Sequence, residues 1–164
     1  MRRLYLLRHA EAIPSGKFRD HERPLAPSGR AAAARIGGAL AARGESIDLA
    51  LCSDAVRTRE TLDLVLDASG ARPRARVEPA IYQAESDELM ALVRALPEET
   101  RNVLVVGHNP GCAEFAASFA GAGAHAEMDR LNRFFPPAGL AVFRVGTAWG
   151  ELMWKSGELL AFLA

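Results

Sequence analysis

The sequence predicts an α/β fold with a mostly parallel central sheet, helices on both of its faces and an antiparallel C-terminal edge hairpin. Three observations predict it. Leu4–Leu7 is a short continuous apolar run that reads as a strand buried on both faces, Ile47–Cys52 reads as a second buried strand, and Asn102–Val106 is the clearest strand. Each run leads into a loop or turn and then a segment of helical periodicity, the alternation that parallel crossover units require. Gly139–Val145 and Glu151–Lys155 then alternate as an antiparallel pair does across a Thr147–Gly150 turn.

The elements follow in order. Leu4–Leu7 places Arg8 and His9 at a strand's carboxyl end. Residues 13 to 27 hold Pro14, Gly16, Pro24 and Pro27 among charges and read as irregular. Ser28-Gly29 opens an alanine-rich helix that ends before Gly44. After Ile47–Cys52, Ser53-Asp54 has the chemistry of an N-cap for a helix whose Val56, Leu62, Val65 and Leu66 form an apolar face, closed by Gly70. An Arg-rich link at Arg72–Arg76 precedes a short strand within Val77–Tyr82 and a helix over Ser86–Leu96, which Pro97 stops. Asn102–Val106 runs into Gly107-His108-Asn109-Pro110-Gly111, where Pro110 suits the first turn of a helix reaching about Ala122. The stretch holding Met128 and Phe134-Phe135 reads as irregular.

The chain has 164 residues, 49% of them hydrophobic, which is enough for a single domain over residues 1–164 with its own core. Twenty basic and twenty acidic groups cancel, so no overall field draws the protein to nucleic acid or to an anionic membrane. Lysine accounts for only two of the basic groups, and local arginine sites for anions remain available. Cys52 and Cys112 form neither a zinc pattern nor a disulfide framework, which points to a reducing compartment. No run approaches the ~18 apolar residues of a membrane span, and Leu4–Leu7 is too short for a signal-peptide core. A cytoplasmic protein is expected.

Parallel sheets bind ligands beyond the carboxyl ends of their strands. Three such ends carry matching polar residues: Arg8-His9, Ser53 to Arg57, and His108-Asn109. Two arginines and two histidines gathered there suit a phosphoryl group. Arg8 and Arg57 offer planar, permanently charged forks, and Arg57 falls in the first turn of its helix, where free backbone N–H groups add to the positive field. His9, held directly after a buried strand, is a competent nucleophile toward phosphorus if a backbone carbonyl fixes the proton of its other nitrogen. His108 is positioned to donate to phosphoryl oxygens as charge spreads over them. No metal and no cofactor are expected. Gly121–Ala126 mimics a dinucleotide fingerprint but follows a helix, and is discounted.

Leu6-Leu7-Arg8-His9-Ala10-Glu11-Ala12, Glu22-Arg23-Pro24-Leu25 with Ser28-Gly29, Ser53–Thr61, Val106–Pro110 and Phe135–Leu140 together resemble, in order, the segments of the histidine phosphatase superfamily. Within it they are similar to the short SixA-like phosphohistidine phosphatases. The resemblance implies the phosphoglycerate mutase-like fold. It also implies a phosphohydrolase in which His9 becomes phosphorylated and water then attacks the phosphoenzyme. Arg8, Arg57 and His108 complete its phosphate pocket, Arg23 matches a further phosphate ligand, and Asn109 belongs to the substrate-binding set. Asp54 stands where the family usually has proline. Glu85 and Asp87 are the candidates for the general acid that many members use, with Glu85 the one carried forward. The expected substrate is a phosphohistidine-bearing protein, with a small phosphomonoester as the alternative and a non-catalytic phospholigand-binding module as a distant one. No motif addresses oligomeric state.

Overall fold

Strand β1 (Arg2–Arg8) occupies the middle of a seven-stranded sheet, and its Leu4–Leu7 core has no face left to water. The computed structural model describes residues 1–164. Helix α1 (Pro27–Ala42), strand β2 (Leu49–Cys52), helix α2 (Val56–Ser69) and strand β3 (Arg74–Val77) follow. Helix α3 (Ser86–Arg94), strand β4 (Asn102–Gly107), helix α4 (Gly111–Phe119) and strand β5 (Ala120–Gly123) come next. Helix α5 (His125–Arg133) and strands β6 (Leu140–Val145) and β7 (Gly157–Leu163) complete the chain. The strand order is β3-β2-β4-β1-β6-β7-β5. Parallel pairs join β3, β2, β4 and β1, whereas β6 runs antiparallel to both β1 and β7. No helix is long and apolar enough to cross a membrane.

The period-2 alternation of the strands sends side chains into two separate cores. Leu4, Leu6, Leu51, Val103 and Val105 meet Leu89 and Val93 of α3 and Phe115 and Phe119 of α4 on one face. Tyr5, Leu7, Ala50, Leu104 and Val106 meet Ala33, Ile36 and Leu40 of α1 and Leu62 and Val65 of α2 on the other. Cys112 belongs to the first core and Cys52 to the second, so the sheet separates the two thiols.

Where the structure departs from the sequence reading, the causes are local. The strand near the Arg-rich link is Arg74–Val77, not Val77–Tyr82, and residues 79–81 form a 3-10 turn. This strand lies at the sheet's edge with all four residues exposed, so it carries no apolar signal. Helix α4 ends at Phe119, short of Ala122, because Ala120–Gly123 pairs with β7 as the opposite edge. The hairpin is therefore covered by β5. Gly121 permits this pairing, since a Cβ there would lie 1.7 Å from the Lys155 carbonyl oxygen. Residues 125–133, expected to be irregular, form α5, which buries only Leu131. The hairpin's second strand is Gly157–Leu163 and not Glu151–Lys155, because Trp149–Glu151 turns as a 3-10 segment around the buried Trp149, whose Nε1–H donates to Thr100 O at 2.8 Å.

Candidate active site

The parallel register brings three carboxyl ends to one rim, with Arg8 opposite Gly107 and Cys52 opposite Val106. His9 stays pinned to the sheet although it lies outside β1. Its N–H donates to Gly107 O at 3.0 Å, and its carbonyl accepts from Ala138 N at 3.0 Å. The next residue ties this loop to α2: Ala10 N donates to Thr61 Oγ1 at 3.0 Å, and Thr61 in turn donates to Arg57 O at 2.7 Å. Gly29 lets α1 approach the same loop, since a Cβ there would lie 2.1 Å from Glu11 O. Glycine at 111 does likewise for α4, where a Cβ would lie 2.1 Å from Ala84 O.

A cavity of about 600 Å³ opens on this rim. Arg8, His9, Arg23, Arg57, Glu85, His108 and Asn109, every site residue expected from the sequence, line it. Glu11, Asp20, Gln83, Glu85 and Pro110 contribute exposed residues to its wall, so it faces water.

Hydrogen bonding fixes the two imidazoles. His9 Nδ1 lies 2.7 Å from Ala10 O, an acceptor only, so Nδ1 carries the proton and Nε2 presents its lone pair. Arg57 Nε–H points at that Nε2 from 3.4 Å. Arg57 Nη2 likewise donates toward His108 Nδ1 at 3.3 Å, which leaves His108 Nε2–H to donate to Ser53 Oγ at 2.7 Å. The two rings stand 5.2 Å apart between centroids. Burial, followed by the charges of Arg57 and Arg8, pushes His9 down to about 4 against the partial counter-effect of the Ala10 carbonyl. His108 is pushed down to about 3, first by burial and then by the neighbouring His9 and Arg57. Both rings are neutral at pH 7 in this arrangement.

Arg57 is the hub, only 5% exposed. Arg8 is half-buried without a carboxylate partner: Nη1 donates to Phe135 O at 3.0 Å and the buried Nε has no acceptor. Burial lowers its pKa. An unpaired guanidinium on a cavity wall favours an anion there. Asn109 Nδ2 donates to the same Phe135 carbonyl at 3.0 Å, so its donor helps hold that loop. Glu85, exposed, precedes α3, and its backbone N–H donates to the Glu88 carboxylate at 2.8 Å.

Ser53 and Asp54 do not cap α2, whose N-cap is Ala55 without a side-chain bond. Ser53 instead supports His108, and Asp54 turns to His21 Nε2 at 3.2 Å. Asp20 and Tyr82 also stand beside Arg57, although nothing in the sequence singled them out. The Asp20 carboxylate bridges Arg57 Nη2 and Arg23 Nη2, each at 3.1 Å, and Tyr82 O–H donates to it at 2.5 Å. No three His, Cys, Asp or Glu side chains converge in a group able to hold a metal ion.

The sequence model of the histidine phosphatase superfamily (branch 1) matches residues 4–81. An uncharacterised protein of Mycobacterium leprae is 34% identical over 161 residues, covering 95% of this chain and 98% of its own. The structure of a candidate phosphohistidine phosphatase SixA from Nakamurella multipartitia superposes with a TM-score of 0.85 at 34% identity, covering 99% of this chain and 95% of that one. A second candidate SixA, from Agrobacterium tumefaciens, gives 0.80 at 30% identity and covers 99% and 97%. With its ordered motifs, its sheet topology and its paired histidines and arginines, the chain belongs to the histidine phosphatase superfamily, among the SixA-like members, and is a phosphatase.

Proposed function

We propose that this phosphatase acts through phosphorylation of His9 and that its substrate is a phosphohistidine in a protein. One observation carries the first part. The Ala10 carbonyl accepts a hydrogen bond from Nδ1–H, so the lone pair on His9 Nε2 faces Arg57 in the cavity. In this reading the Nε2 lone pair attacks phosphorus while the P–N bond of the substrate breaks, and the leaving imidazole keeps or gains a proton. Arg8, Arg57 and Arg23 neutralise the phosphoryl oxygens, which is the main electrostatic contribution to a loose transition state. His108 takes up a proton as the dianion arrives and then donates to it. Water next attacks phospho-His9, releasing phosphate and restoring the neutral ring.

The substrate assignment rests on leaving-group chemistry. An imidazole leaves far more readily than an alkoxide and needs little help from a placed acid. Glu85 is the carboxylate carried forward for that task, and it lies exposed at the start of α3. A cavity with an exposed rim suits a residue presented on a protein surface, and the two solved structures named above are candidate phosphohistidine phosphatases. The test is phosphate release from a phosphohistidine-bearing carrier protein, run beside sugar and nucleotide phosphates with chelator present. Faster release from the carrier supports the assignment. Preferential turnover of the small esters, lost in Glu85→Gln, supports the second reading, a small-molecule phosphomonoesterase, which the presence of Glu85 on the cavity wall favours.

A further inference from the structure

We infer that Asp20 is an internal ligand of the phosphate pocket, a carboxylate that the incoming phosphoryl group must displace from Arg23 and Arg57. This rests on the proposed phosphate-binding role of that pocket and concerns what sets its affinity.

Arg57 has few free donors. Its Nε–H faces His9 and its Nη1 donates to the Asp20 backbone carbonyl at 2.6 Å. Its Nη2 is shared between Asp20 Oδ2 at 3.1 Å and His108 Nδ1 at 3.3 Å. Arg23 commits Nε to Asp20 Oδ1 at 3.1 Å and Nη1 to Ile13 O at 3.0 Å. The carboxylate thus takes one oxygen to each arginine, as two oxygens of a phosphoryl group would. Tyr82 O–H holds the Oδ2 side. The Tyr82 hydrogen bond, then Arg57 and Arg23, hold Asp20 down at about 2 against the effect of burial, so it stays ionised at neutral pH.

The carboxylate is also free to leave. Asp20 sits in a 3-10 turn with half of its side chain exposed, so water can receive it when it swings aside. Arg8, which has no acid partner, remains the fixed cation to which a phosphate first binds. A protein whose binding-competent form is only partly populated shows an affinity reduced by that fraction. The reduction applies equally to substrate and product. Asp20 therefore weakens phosphate retention and raises KM together, and hastens emptying of a pocket built from three arginines.

The alternative role for Asp20 is purely positional, holding the two arginines in place for phosphate. The two roles have opposite signs. Calorimetric titration of the purified protein with inorganic phosphate at pH 7 reads them apart, using wild type, Asp20→Asn, Asp20→Ala and Tyr82→Phe. Glu11→Gln serves as a control for charge alone, because Glu11 lines the same cavity without an arginine partner. Displacement predicts that both Asp20 variants bind phosphate on the order of tenfold more tightly, Tyr82→Phe by a smaller factor of the same sign, and Glu11→Gln by no more than about twofold. Unchanged or weaker binding in both Asp20 variants overturns the inference, as does an equal gain in Glu11→Gln. Arg57→Ala separates the underlying reading: phosphate binding as tight as in wild type places the anion elsewhere and overturns the pocket assignment together with the inference.

Discussion

Arg57 Nε lies 3.4 Å from His9 Nε2, so a permanent cation faces the one lone pair that a nucleophilic imidazole must keep. The contact lets the ring accept and never donate. A protonated His9 would turn an N–H toward the guanidinium, an arrangement that burial makes worse. The same arginine reaches His108 Nδ1 at 3.3 Å, so one side chain adds to the burial that keeps both rings neutral.

Burial, with this arginine beside it, sets the pH behaviour. His9 and His108 have folded pKa values near 4 and 3, below the ordinary 6.5. Between about pH 6.5 and 4 the unfolded chain binds protons that the folded one does not, so stability falls as pH falls through this window. His9 alone contributes a loss on the order of 3 kcal/mol by pH 4. Chemical denaturation across pH 4 to 7 measures it, and a flat profile contradicts the buried neutral pair. Ring-proton NMR of the free protein is expected to show neither ring titrating near 6.5. Saturation with phosphate is expected to raise the pKa of His108, read as an upward shift in the titration of its ring protons in the bound protein.

Arg57→Lys keeps the charge but not the three-way reach to His9, His108 and Asp20. We expect kcat/KM to drop on the order of 10²–10³-fold, the range for losing a transition-state donor, with Arg57→Ala no better. Steady-state kinetics against one phosphorylated substrate measures both. A lysine variant within about threefold of wild type would remove the fork geometry from the account.

Ser53→Ala tests how His108 is oriented. Removing Oγ leaves the buried Nε2–H without an acceptor, which is expected to lower stability by about 1–3 kcal/mol. It also frees the other tautomer, so kcat is expected to fall on the order of tenfold with the ring's NMR tautomer signature changed. Lost stability with kcat and tautomer unaltered would reduce Ser53 to a packing residue.

The legible parts of the fold share a cause. A strand buried on both faces must be apolar through its buried centre, so β1, β2 and β4 stand out, and with them the rim that carries Arg8, His9, Arg57 and His108. The illegible parts are edges. Strand β3 reads Arg-Ala-Arg-Val with every residue exposed, and β5 reads Ala-Gly-Ala-Gly, with almost no side chain to signal anything. Ser53-Asp54 misleads for a different reason. The residue types that cap helices also accept hydrogen bonds from distant partners, and here the His108 ring claims the serine. Asp20 lies in an irregular, charged loop, where one carboxylate looks like any other until the chain folds it onto two arginines.

In the proposed mechanism the phosphoryl group passes through His9. Rapid mixing with a phosphohistidine-bearing carrier protein, quenched in alkali to preserve phosphohistidine and followed by peptide mass spectrometry, tests it most directly. A transient phosphoryl group is expected on the peptide carrying His9, formed and lost within turnover, and absent from a folded but inactive His9→Ala. Turnover without that peptide ever being modified, or near-normal turnover by His9→Ala, would contradict it.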